Sequence, residues 1–185
     1  MTTIEPPGVL IVTGMPGAGK STVSRRVASL LPRAARLDGD ALNGMIVSGR
    51  VWALGEPADE AARQVALCDL NLAALARNFA DAGFAPVIDS IVPTRAQLDF
   101  FLARLAPRPV HLVVLAPGPA VCAARNAARD PRERVPYDPV ALDAQMRAEL
   151  ADHGWWLDTS TLTPEETARR VVRDAARRGL VTAAA

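Results

Sequence analysis

Residues Gly8-Val9-Leu10-Ile11-Val12-Thr13 form an apolar run of strand length that passes directly into Gly14-Met15-Pro16-Gly17-Ala18-Gly19-Lys20-Ser21. Beyond the glycines, Val23, Val27, Leu30 and Leu31 recur at helical spacing. A buried strand, a glycine loop and a helix in that order match G-x-x-x-x-G-K-[ST], the phosphate-binding loop. The match restricts the fold, because the loop's backbone N–H groups wrap an anion only when a helix start faces the end of a sheet strand. Gly14, Gly17 and Gly19 let the backbone approach the phosphates, and Met15, Pro16 and Ala18 complete the wrap. Lys20 is expected to bridge the β- and γ-phosphates of ATP, Ser21 to ligate Mg²⁺ and Thr22 to lie near the α-phosphate. Of the 21 Lys and Arg residues, Lys20 is the one lysine. A compact ammonium on a flexible stem suits that position, and a planar guanidinium does not.

The rest of the chain extends the same pattern. Strands are expected near Gly8 to Thr13, Ala34 to Asp38, Ala85 to Ile91, Val110 to Ala116 and Trp155 to Asp158. Between them, helical spacing marks Lys20 to Leu31, Ala41 to Ser48, Ala58 to Ala82, Arg95 to Leu105, Gly118 to Ala128, Pro139 to Ala151 and Pro164 to Arg178. This alternation predicts an α/β protein with a five-stranded parallel sheet and helices on both faces, and with the glycine loop of Gly14 to Ser21 at its head, a P-loop NTPase fold. One domain is expected over residues 1–181, with a lid at about 126–137 and a frayed tail at 182–185. The last helix start is the best signalled, Thr163-Pro164-Glu165-Glu166 combining a hydroxyl cap, an N1 proline and first-turn acids.

Net charge excludes some classes of partner. A formal charge of +1 leaves no global field for nucleic acid or a membrane surface. Apolar runs are strand-sized and no basic start precedes one, so neither a spanning helix nor a secretory leader is expected. Cys68 and Cys122 fall on predicted helices without metal-ligand spacing, as reduced, buried thiols of a cytoplasmic protein.

Ligands of such sheets gather at the carboxyl ends of the strands. There the second strand ends in Leu37-Asp38-Gly39-Asp40. Phosphoryl transfer to an alcohol needs a carboxylate that takes the hydroxyl proton, and Asp40 is assigned that role. Asp38 is expected to hold a metal-bound water, although Asp40 before Ala41 also fits a helix N-cap. The third strand ends in Val87-Ile88-Asp89, where a carboxylate reaches Mg²⁺ directly or through water, or caps a turn. Ser90 and Arg95 follow on the same rim as candidate acceptor contacts. Arg125, Arg129, Arg132 and Arg134 follow the fourth strand, with Pro131 breaking the helix into a loop that could close. Arg125 and Arg129 are the expected catalytic pair, neutralising charge over the γ-phosphate. Asp130 and Glu133 among them equally permit a surface ion-pair network. Asp69 and Asn71 either reach an acceptor pocket or lie on a helix surface, and His111 and His153 read as structural.

Taken together, these segments and Leu157-Asp158-Thr159-Ser160 before a capped final helix resemble the small P-loop kinases. The chain is most similar to the chloramphenicol phosphotransferase-like group, with gluconate-kinase and adenylylsulfate-kinase relatives further off. The resemblance implies transfer of the ATP γ-phosphate to a hydroxyl of a small molecule: an antibiotic, a nucleoside-like or a sugar-like compound. It also implies that Asp40 is the base and that the loop holding Thr159 passes the adenine. A nucleic-acid-end or sugar-nucleotide kinase and a regulatory ATPase are the alternatives. The absent Asn-Lys-x-Asp motif disfavours a Ras-like GTPase, and no nucleic-acid or membrane partner is expected. No acceptor signature is legible between Val47 and Pro57.

Overall fold

The computed structural model describes residues 8–181. The tail expected to fray at 182–185 lies outside them. Strands β1 (Val9–Thr13), β2 (Ala34–Asp38), β3 (Ala85–Asp89), β4 (Val110–Leu115) and β5 (Trp155–Leu157) pair in parallel in the order β2-β3-β1-β4-β5. β1, β3 and β4 are buried along their whole length, as suits their largely apolar sequences, with Thr13, Asp89 and His111 the polar residues among them. A sixth strand, β6 (Leu180–Val181), adds to the five expected parallel strands. It pairs antiparallel with Val110 and His111 of β4. Two residues carry no readable period, and the pairing exists only because the last helix returns the chain beside β4.

The helices are α1 (Lys20–Leu30), α2 (Gly39–Gly44), α3 (Ala58–Asp81), α4 (Arg95–Leu105), α5 (Pro119–Ala127), α6 (Pro139–Leu150) and α7 (Pro164–Arg178). From β1 the chain crosses to β2 on one side, whereas β2 to β3, β3 to β4 and β4 to β5 all step the other way. Right-handed crossovers therefore put α1 on one face and α3, α4 and α5 on the other. α7 packs beside α1, and α3 beside α4. Between the layers lies a core of Leu10, Ile11, Leu72, Ile88, Leu98, Phe101 and Leu112, each less than 2% exposed.

Three boundaries differ from the sequence reading by two residues or more. Asp38 accepts from the Asp40 and Ala41 amides, so α2 begins at Gly39 and the cap is Asp38, not Asp40. α2 ends at Gly44, short of Ser48, and the chain from Met45 to Pro57 forms neither helix nor strand. β3 stops at Asp89 because the Val92 amide turns away to the Thr13 hydroxyl, at 2.8 Å. α4 and α7 keep their expected bounds, α4 capped by Thr94 and α7 by a reciprocal Thr163–Glu166 capping box.

Candidate active site

The β1–α1 loop lies mid-sheet, where the crossovers change direction, which is where open α/β sheets bind ligands. Gly17 has φ +86°, and a Cβ there would run into the Cys122 carbonyl oxygen on α5. Gly19 has φ +97° and faces open space. It also caps α1 without any side-chain acceptor, so the first amides of the helix point outward unclaimed by a side chain. Lys20 is half-buried, its Nζ donating to the Met15 carbonyl at 3.2 Å. Burial pushes its pKa below the ordinary lysine value, against the pull of Asp89 and Asp40; Arg129 adds to the lowering. Two acids and a second cation therefore surround the lysine.

Two cavities share the loop as a wall. The smaller, of about 100 Å³, is lined by Lys20, Ser21, Asp40, Trp52, Arg129 and Val135, with Pro16, Gly17, Gly19, Thr22 and Ile91 completing it. The larger, of about 270 Å³, is lined by Ala18, Gly19, Thr22, Val23, Arg125, Thr159, Leu162, Pro164 and Thr167. Gly19 and Thr22 belong to both. The two arginines expected to act together thus face different chambers, Arg129 beside Lys20 and Arg125 beside Thr159. The Thr159 hydroxyl is buried without a hydrogen-bond partner on the wall of that chamber. An orphaned buried hydroxyl costs free energy unless a ligand satisfies it, which suits a chamber that takes a base or ribose.

Asp40 is exposed and reaches the small chamber from the first turn of α2. Among the described residues its carboxylate enters no ion pair. Asp38 and Asp89 are placed otherwise, paired across β2 and β3 and joined by Arg36. Arg36 sits 2.9 Å from Asp38 Oδ2, contacts Asp89 Oδ2 closely and donates from Nε to Ser24 Oγ at 2.8 Å. Ser24, buried on α1, in turn donates to Asp89 Oδ2 at 2.9 Å. Asp38 therefore spends Oδ1 on the α2 cap and Oδ2 on Arg36, whereas both bonds to Asp89 fall on Oδ2.

Nothing in the sequence singled out Arg36. A lone arginine in a strand acquires a role only once β2 and β3 are known to be neighbours. Trp52, Ile91 and Val135 were equally silent, since each comes from irregular chain brought over the loop by the fold. Beyond Arg134, the Tyr137 hydroxyl donates to the Pro16 carbonyl at 2.7 Å. Arg95 is not at the acceptor side. Its Nε binds Asp99 at 2.8 Å and its guanidinium contacts His153. Asn71 is exposed on α3, and Asp69 is buried. Cys68 and Cys122 are buried and unpaired, burial pushing the Cys68 thiol up to about 12.

A family model described as an AAA domain, AAA_33, matches residues 9–153, a span that includes the glycine loop, both acidic strand tips and the arginine segment. The chain belongs to that AAA domain family. No curated protein matches the sequence. Among solved structures, this AAA-family chain is similar to a sugar kinase from Janibacter sp. HTCC2649, at 21% identity and TM-score 0.67, over 92% of this chain and 96% of that one. It is also similar to a gluconokinase from Sinorhizobium meliloti 1021, at 22% identity and TM-score 0.63, over 94% of each chain. The tunicamycin resistance protein of Deinococcus radiodurans aligns at 15% identity and TM-score 0.65, over 95% and 98%. These likenesses show the fold, which is that of the small P-loop kinases the sequence resembles. No helix among the described residues is long and apolar enough to cross a membrane.

Proposed function

We propose that this chain transfers the γ-phosphate of ATP to a hydroxyl of a small molecule. One observation carries the reading: Asp40 faces Lys20, Ser21 and Arg129 across a single chamber, beside a second chamber holding Arg125 and Thr159. The larger chamber takes the nucleoside, with Thr159 satisfied by it. The phosphates cross the shared wall at Gly19 and Thr22 and end beside Lys20.

Asp40 orients the acceptor hydroxyl and accepts its proton as the oxygen bonds to the γ-phosphorus. The bond from that phosphorus to the β–γ bridging oxygen breaks, and ADP leaves with the electron pair. Lys20 and Arg129 neutralise the charge on the transferring group, and Arg125 holds the nucleotide from the other chamber. Ser21 and Asp89, through its Oδ1, are the residues that would hold Mg²⁺, a hard cation that needs one or two protein oxygens besides phosphates and water. The chemistry such an ion would supply is Lewis-acid withdrawal of charge from the phosphates. Asp38 is left out of the set, since both of its oxygens are engaged.

The test is ATP consumption with and without a panel of alcohols, sugars, nucleosides and antibiotics. Turnover that requires a hydroxylated acceptor supports the reading. Equal hydrolysis with every compound and with none would instead make the chain an ATPase and overturn it.

A further inference from the structure

We propose that the acceptor lies against Trp52, in a subsite hung from α3 by Gln64, and that it is an uncharged hydroxylated compound with a flat apolar face. The inference rests on the phosphotransferase reading above.

The segment from Met45 to Pro57 has no regular structure of its own, yet it forms a wall of the transfer chamber through Trp52. What fixes it is one buried amide. Gln64 accepts from the Val51 amide at 2.8 Å, and its Nε2 donates to the Gly49 carbonyl and to Glu60, each at 2.8 Å. Val51 immediately precedes Trp52, so the bond that anchors one sets the direction of the other. The opposite wall is built alike. Asn126 accepts from the Val135 amide at 3.1 Å and donates to the Val135 carbonyl at 2.9 Å, and Val135 faces the same chamber. A side-chain amide that reads both a donor and an acceptor of a loop backbone holds it in one register. Gln64 is a positioning residue, acting on the acceptor through Trp52.

The chamber's chemistry specifies the compound. Among the described residues, the cations lining it are Lys20 and Arg129, both committed to the phosphates. The other charged group is Asp40, which repels an acceptor carboxylate. What remains for the body of the acceptor is apolar: the indole of Trp52 with Ile91 and Val135. The same segment leaves Met45, Val47 and Leu54 exposed at 71%, 95% and 72%. An indole face stacks best on a flat ring.

The experiment compares neutral ring alcohols with carboxylate-bearing polyols as acceptors of the full chain, and repeats the kinetics in Trp52→Ala and Gln64→Ala. The neutral set is turned over preferentially. Both variants raise the acceptor KM by about tenfold, the scale of one lost aromatic contact, with the ATP KM unchanged. Limited trypsinolysis gives a second readout, because Arg50 is exposed within the anchored segment. Gln64→Ala accelerates cleavage after Arg50, and Trp52→Ala does not. Turnover confined to the carboxylate-bearing set, or an acceptor KM that neither variant moves, overturns the subsite. A chain that binds ATP and phosphorylates neither set contradicts the phosphotransferase reading itself, and the subsite with it.

Discussion

The Tyr137 hydroxyl donates to the Pro16 carbonyl oxygen at 2.7 Å, closing a link of 121 residues between the end of the arginine segment and the phosphate loop. The ring packs against the core, and burial pushes the phenol up to about 12, so it donates throughout the physiological range. The arginine segment is thereby anchored at both ends, by Asn126 on Val135 and by Tyr137 on the loop itself.

Tyr137→Phe keeps the ring and deletes that bond. A neutral hydrogen bond contributes about 1 kcal/mol, so ATP affinity falls about fivefold by calorimetry while the chain stays folded. Unchanged affinity would show that the loop holds its shape without the tether.

Arg36 compensates two carboxylates at once, and Asp89 is 4% exposed. Removing one partner of a buried pair strands the other charge, so Arg36→Met loses about 3–5 kcal/mol in denaturant unfolding. Arg36→Lys recovers only part, because an ammonium cannot reach Asp38, Asp89 and Ser24 in one plane. A loss below about 1 kcal/mol in Arg36→Met would mean that the pair is solvated, contrary to the burial seen here.

Arg36 also marks how far the sequence could be read. The glycine loop, α4 and α7 were legible because their signals are local: a motif, an apolar period and, for α7, capping residues at fixed offsets from it. Asp40 was legible because it follows a strand tip by two residues. Arg36, Trp52, Val135 and Tyr137 were not, since each gains its meaning from a neighbour distant in the chain. Asp38 and Asp89 were correctly placed at the rim, but the cation that pairs with both is one that only the pairing of β2 with β3 brings to them. The split of Arg125 and Arg129 between two chambers likewise depends on where α5 passes the loop.

Asp69 carries the clearest pH signature. It is 6% exposed, its one hydrogen bond comes from Gln97 at 2.8 Å, and burial raises its carboxyl from 3.8 to about 6. Because the folded value lies above the unfolded one, the native state binds this proton more tightly. The contribution to stability is complete below the unfolded value, and is lost as pH rises through the folded value. Asp69→Asn keeps an oxygen for Gln97 and removes the charge. Its stability relative to the parent therefore increases between about pH 4 and pH 7, by about 2–3 kcal/mol. Taking the difference removes Glu60, Asp158, Glu166 and Asp174, whose carboxyls hydrogen bonds hold low in both chains. Parallel pH profiles for the two chains would contradict the burial argument.

The central claim is that Asp40, across the chamber from Lys20, takes the acceptor proton. The most direct measurement is single-turnover phosphate transfer by Asp40→Asn, alongside its nucleotide affinity. The variant is expected to bind ATP within about twofold of the parent and to transfer phosphate about 10²–10⁴-fold more slowly, the range for loss of a positioned base. Transfer at the parental rate would contradict it.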